Sequence, residues 1–231
     1  FSGGNVLGGK VPRELYVDYV KSADWVGNDF YAVTGYNRPD WLWKIGAAVD
    51  RLRDWGGGGK PQFAMIESSA QRLSWTPRNT RGVTADELRG EVWHAVIHGV
   101  RGIIYFPQQI GEGFRYDATP PKVALEMSRQ NRRLNEMGDV LAGEVNPKAY
   151  AVKGEPPLEA GWRAAGDGRL FVIVLNFSDD NANGKRVEVG GIGAVKASVV
   201  GEDRDVAISG GAFTDNFGPY GVRIYQLAAS K

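Results

Sequence analysis

Cysteine is absent from the 231-residue sequence. That excludes disulfide staples, thiolate metal sites and a cysteine nucleophile. It does not fix the compartment, because secreted and periplasmic bacterial-type proteins often lack cysteine too. Histidine is limited to His94 and His98, too few for a multi-histidine metal centre. The formal net charge is only +1, so no electrostatic footprint points to nucleic acid or an anionic membrane surface. No apolar run approaches the roughly 20 residues that span a bilayer. No glycine-rich phosphate loop follows a strand pattern, since Gly56 to Gly59 precede one, and dinucleotide binding by that route is disfavoured. The sequence opens at Phe1 with glycine-rich residues rather than methionine, and is expected to be a piece of a longer chain.

What is present is the composition of an ordinary globular protein, 42% hydrophobic and 24% charged. The stretch that organises the chain is Pro61-Gln62-Phe63-Ala64-Met65-Ile66-Glu67. Four apolar residues in a row predict a strand buried on both faces, as in a parallel sheet. The C-terminal end of such a strand is where a β/α barrel places its chemistry, and Glu67 stands there. The plainer alternative is an ion pair, with Arg72 as its partner.

Around this strand the pattern alternates. Helices are expected over Pro12 to Ser22, Trp41 to Trp55, Thr84 to Gly99 and Thr119 to about Ala142. Strands are expected over Asp24 to Val33 and Gly102 to Phe106. Asp40 and Thr84 are the expected N-caps, Thr84 forming a capping box with Glu87, and Gly56 is an expected C-cap. Alternation of this kind implies βαβ units and a parallel sheet. Beyond Asn146 the period changes to two, in short runs separated by Gly, Asn, Asp and Pro clusters. That is the pattern of a small antiparallel β-sandwich. The expected domains are therefore residues 1–145 and 146–231.

With these residues set out, the chain resembles the C-terminal part of a clan A glycoside hydrolase, a retaining (β/α)8 barrel. Asp24-Trp25-Val26-Gly27-Asn28-Asp29-Phe30-Tyr31 is similar to that clan's sixth strand. Phe63 to Glu67 is similar to the seventh, with the nucleophilic glutamate at its tip. Glu91-Val92-Trp93-His94-Ala95-Val96-Ile97-His98 through Phe106 is similar to the helix and eighth strand that close the barrel. The resemblance implies an α/β fold of three final βα units of a TIM barrel, incomplete in this chain, followed by a β-sandwich. It also implies a partner: the N-terminal half of the same barrel, upstream or as a separate chain, which carries the acid/base glutamate.

The implied reaction is retaining hydrolysis of a β-linked oligo- or polysaccharide, which needs two carboxyl groups about 5–5.5 Å apart. Glu67 is the implied nucleophile, with the Tyr31 hydroxyl as its supporting donor. Tyr36, Trp41 and Trp75 lie in loops after the strands, and Tyr105, Gln108 and Arg115 at or after the last strand. These are the expected sugar contacts, because aromatic platforms with polar neighbours suit carbohydrate faces. No cofactor is implied. His94 and His98 are four apart on one helix, as in half a zinc motif, but no glutamate adjoins His94 and no third ligand is visible, so no metal site is expected. A reading from another class is a non-catalytic carbohydrate-binding or scaffold module.

Overall fold

The computed structural model describes residues 13–56, 59–69, 81–110, 113–146 and 149–227. The chain is mixed α/β. Its contacts divide it into two compact units, up to Arg129 and from Gln130 onward.

The first unit holds three parallel strands, β1 (Val26–Asp29), β2 (Gln62–Glu67) and β3 (Gly102–Phe106), paired in the order β1–β2–β3. Met65 pairs with Asp29 on one side and with Ile104 on the other. Around the strands lie α1 (Arg13–Lys21), α2 (Lys44–Trp55) and α3 (Ala85–His98). Ile45, Val49 and Leu52 form the buried stripe of α2. The first helical turn of α3 closes in the expected capping box, with the Thr84 side chain accepting from the Glu87 N–H and the Glu87 carboxylate from the Thr84 N–H. Gly99 ends α3 at φ 107°, a left-handed conformation that glycine adopts without steric cost. Among the described residues no helix is long and apolar enough to cross a membrane.

Two expectations shift at the element ends. The N-cap of α2 is Trp43, not Asp40. Asp40 instead lies in a single 3-10 turn, Pro39–Trp41, and pairs with Arg38. The strand expected to run to Val33 stops at Asp29, and the residues after it turn back on themselves.

The helix α4 (Pro121–Glu136) runs across the boundary between the units, and α5 (Gly138–Leu141) comes next. The second unit is antiparallel throughout. Its strands are β4 (Glu144–Val145), β5 (Ala151–Gly154), β6 (Leu158–Ala164), β7 (Leu170–Asn176), β8 (Ala182–Gly190), β9 (Lys196–Val199), β10 (Asp205–Ala207), β11 (Ala212–Phe217) and β12 (Val222–Leu227). A six-stranded sheet has the order β10–β9–β12–β7–β6–β4, and a three-stranded sheet the order β11–β8–β5. One apolar core draws on both sheets, with Trp162, Val172 and Tyr225 from the larger and Val187, Phe213 and Phe217 from the smaller. Each such side chain contributes roughly 1.5–3 kcal/mol when fully buried. The Tyr225 hydroxyl donates to Asp215 Oδ2 at 2.7 Å, and the Arg204 guanidinium donates to the same oxygen at 2.7 Å.

Candidate active site

Successive side chains of a strand point to opposite faces. Gln62 donates its amide to the Val49 carbonyl of α2 at 3.1 Å, so Gln62, Ala64 and Ile66 take the helix-covered side. Ala64 and Ile66 are accordingly fully buried. Phe63 and Met65 take the other side by parity and are half-buried, whereas Glu67, at the strand end, is buried and meets Glu91 of α3.

The turn after β1 decides the surroundings of Glu67. Residues 31–38 form a tight turn closed by Gly35 N–H to Tyr31 O, Asn37 N–H to Val33 O and Arg38 N–H to Ala32 O. A Cβ at Gly35 would stand 2.5 Å from the Tyr31 carbonyl oxygen, so only glycine fits the turn at that point. The turn leaves the amides of Val33 and Thr34 without backbone acceptors, and both are aimed at Glu67. Val33 N–H donates to Oε1 at 2.8 Å, and Thr34 N–H and Thr34 Oγ1 each donate to Oε2 at 2.5 Å. Three donors thus converge on one carboxylate that is only 1% exposed. An unpaired carboxylate buried so deeply would be strongly unfavourable; convergent donors offset that cost.

A second carboxyl stands beside it. Glu91 of α3 is fully buried, and among the described residues neither of its oxygens makes a hydrogen bond of regular geometry. Burial pushes the Glu91 carboxyl well above the usual range, and the charge and hydrogen bond of Glu67 act in the same direction. Burial and the neighbouring carboxylates thus favour the neutral form of Glu91, against a smaller opposing effect of the Glu67 backbone N–H. A pair in direct contact leaves no room for a glycosidic bond between its members, so Glu91 cannot serve as the opposing acid/base of a retaining site.

The expected site residues scatter around this centre. The Tyr31 hydroxyl lies 3.8 Å from Met65 Sδ, and the donors on Glu67 are Val33 and Thr34 instead. Burial raises the Tyr31 hydroxyl above its ordinary range, and the carboxyls of Asp29, Glu67 and Glu91 add to the effect, so it stays a neutral donor. Its ring lies 5.0 Å from that of Phe106, the register partner of Glu67. Tyr36 stacks on Phe30 at 5.3 Å and meets Trp41 at 5.7 Å. Lys44 Nζ sits 3.2 Å above the Trp41 ring, so that indole face already carries a cation. Tyr105 pairs with Ile66, which parity places on the helix-covered side with Ala64. Burial raises its hydroxyl, with Glu126 of α4 contributing. Gln108 has a buried Oε1 with no hydrogen-bond partner among the described residues. Arg115 is exposed and pairs through its backbone with Gln109, at 3.0 and 3.2 Å. Trp75 and Arg72 lie outside the described residues.

No protein-family model matches the chain, and no curated protein matches it in sequence. Solved structures do match. A GH27 β-L-arabinopyranosidase from Geobacillus stearothermophilus aligns with a TM-score of 0.57 at 15% identity, over 96% of this chain and 48% of its own. A variant of that enzyme in complex with arabinose aligns at 0.55 and 17% identity, over 96% and 49%. An α-amylase from Geobacillus thermoleovorans complexed with acarbose gives 0.54 at 11% identity, over 96% and 58%. This chain spans about half the length of the solved structures it matches. At these identities the likeness is one of fold: the neighbours are TIM-barrel glycoside hydrolases, matched in part.

Sequence reasoning passed over Val33, Thr34 and Glu91. Backbone donors carry no side-chain signature. Glu91 did leave a signal. It comes three residues after Leu88 and four before Ala95, so an acidic residue falls on the apolar face of its helix. The histidines of α3 have structural partners. His94 Nδ1 accepts from Gly46 N–H at 3.3 Å, and His98 Nδ1 lies 2.8 Å from Asp50 Oδ2.

Proposed function

We propose that this chain is the C-terminal part of a retaining β-glycosidase. In this reading it comprises the last three βα units of a (β/α)8 barrel and a β-sandwich, acts on a β-linked oligo- or polysaccharide, and supplies the nucleophile Glu67. The single observation that carries the reading is a carboxylate at the C-terminal end of the middle parallel strand, fixed by three converging donors. A glycosidase nucleophile attacks the anomeric carbon as a carboxylate and leaves as the second carboxyl activates water. Donors that fix its orientation serve that step, because a misaimed nucleophile loses most of the benefit of proximity. Tyr31 and Phe106 wall the same region. Tyr36, Trp41, Gln108 and Arg115 remain the proposed sugar contacts nearest the strand ends, along with Trp75.

The acid/base is assigned to the N-terminal half of the barrel, the proposed partner. Trp25 and Ile104 are 50% and 42% exposed, and Ile104 is the register partner of Met65. Apolar side chains on the side away from the helices suit cover by further strands. In full-length protein, Glu67→Gln should lower the rate on aryl β-glycosides by roughly 10³-fold or more. Near-normal turnover would falsify the role given to Glu67.

The burial of Glu67 favours one other reading, a carbohydrate-binding or scaffold module in which this carboxylate only ties β2 to the turn after β1. In that case Glu67→Gln lowers stability, and neither protein hydrolyses glycosides.

A further inference from the structure

We propose that Glu91 is a positioning residue for Glu67, its carboxylic acid O–H donating a hydrogen bond to the Glu67 carboxylate. Among the described residues Glu91 has no lysine, arginine or histidine partner to offset its burial, and neither carboxyl oxygen makes a hydrogen bond of regular geometry; the one group facing it that favours its charge is the Glu67 backbone N–H. The group beside it is another carboxyl, Glu67. Two carboxylates cannot hydrogen-bond, since both only accept; one proton between them turns repulsion into a donor–acceptor pair.

Where that proton sits is set by the surroundings. Glu67 already accepts from Val33 and Thr34, three bonds that suit an acceptor. Glu91 has only the Glu67 backbone N–H, whose effect is smaller than that of burial and of the neighbouring carboxylates. The charged groups facing Glu91 are Glu67 on β2 and Glu87 one turn earlier on α3, and both disfavour a negative charge on it. Tyr31, after β1, is a neutral phenol in the same neighbourhood. The proton therefore belongs to Glu91, and helix α3 reaches Glu67 with a fourth donor. Nothing reacts at Glu91; it acts through Glu67.

The hydrogen bond stands apart from the catalytic role of Glu67, whereas its kinetic consequence rests on the nucleophile reading. Two measurements on the full-length protein separate them. Infrared difference spectra at neutral pH should show a protonated-carboxyl band that is lost in Glu91→Gln and displaced in Glu67→Gln, where the acceptor becomes an amide. A spectrum with no such band, or a band unmoved in Glu67→Gln, overturns the proposal. In kinetics, Glu91→Gln keeps an N–H donor and should retain most of kcat, while Glu91→Leu should lose about 10- to 100-fold, the range for a hydrogen bond to a charged group. Equal kcat per folded molecule in both variants reduces Glu91 to a packing residue and also overturns the proposal. Should Glu91→Leu fail to fold, the infrared arm still decides. If Glu67→Gln hydrolyses normally, the nucleophile reading fails, and the infrared arm again decides the hydrogen bond on its own.

Discussion

Replacing Thr34 with valine removes one hydroxyl and little else. The side chains have nearly the same shape, the Thr34 N–H to Glu67 Oε2 is untouched, and the site is closed, with Thr34 and Glu67 each 1% exposed. The hydroxyl meets Oε2 at 2.5 Å, so the lost bond is one to a charged group, worth about 1.5–3 kcal/mol. Water cannot readily replace it there. With a urea slope of about 1–3 kcal/mol/M, the unfolding midpoint should fall by roughly 1 M at an unchanged slope. Thr34→Ser keeps the oxygen and loses a methyl, about 0.8 kcal/mol, and should fall less. The assay is equilibrium urea unfolding by tryptophan fluorescence. The two compact units require that only the transition shared with loss of the first unit be fitted. A Thr34→Val midpoint equal to that of the unchanged protein, or a Thr34→Ser protein weaker than Thr34→Val, would show that the hydroxyl does not hold Glu67.

Two more outcomes concern a buried group and a helix cap. Burial holds the His94 imidazole well below its usual range, with His98 acting the same way. The unfolded chain takes up a proton below about pH 6.5 and the folded chain does not, so stability is full above that pH and falls as pH drops, by up to about 1.4 kcal/mol per unit. Urea midpoints from pH 8 to 5 should show this slope and lose it in His94→Gln; an equal slope in the variant assigns the loss to other groups. Thr84→Ala removes the N-cap acceptor of α3 and should cost about 1 kcal/mol, lowering Tm by roughly 2–4 °C. Thr84→Ser should stay near the original, and calorimetry of the three proteins decides.

Much of the first unit was legible because its signals are local. The capping box at Thr84 and Glu87 is written in two residues three apart, and α3 starts there. The apolar run before Glu67 marks a strand, and strand parity places Ala64 with Ile66 and Phe63 with Met65. In the second unit, β7 reads as an apolar run from Leu170 to Leu175, and all seven of its residues, the terminal Asn176 included, are buried. By contrast, β11 carries a weak sequence signal. Thr214, Asp215 and Asn216 interrupt its apolar pattern, and its register shifts between Asp215 and Phe217. Asp215 is acceptable inside a strand only because Arg204 and Tyr225 reach it from elsewhere in the sequence.

The order of amino acids alone determined that Glu67 ends a buried strand, since hydrophobic period and carboxylate position are properties of neighbours in the chain. It could not determine what holds that carboxylate. Val33 and Thr34 lie 34 and 33 residues away and act mainly through backbone N–H groups, which every residue but proline possesses. Glu91 comes from the helix after β2. Only the packing of turn, strand and helix brings these groups into one buried volume, where the cost of leaving a charge unpaired selects a single arrangement of donors.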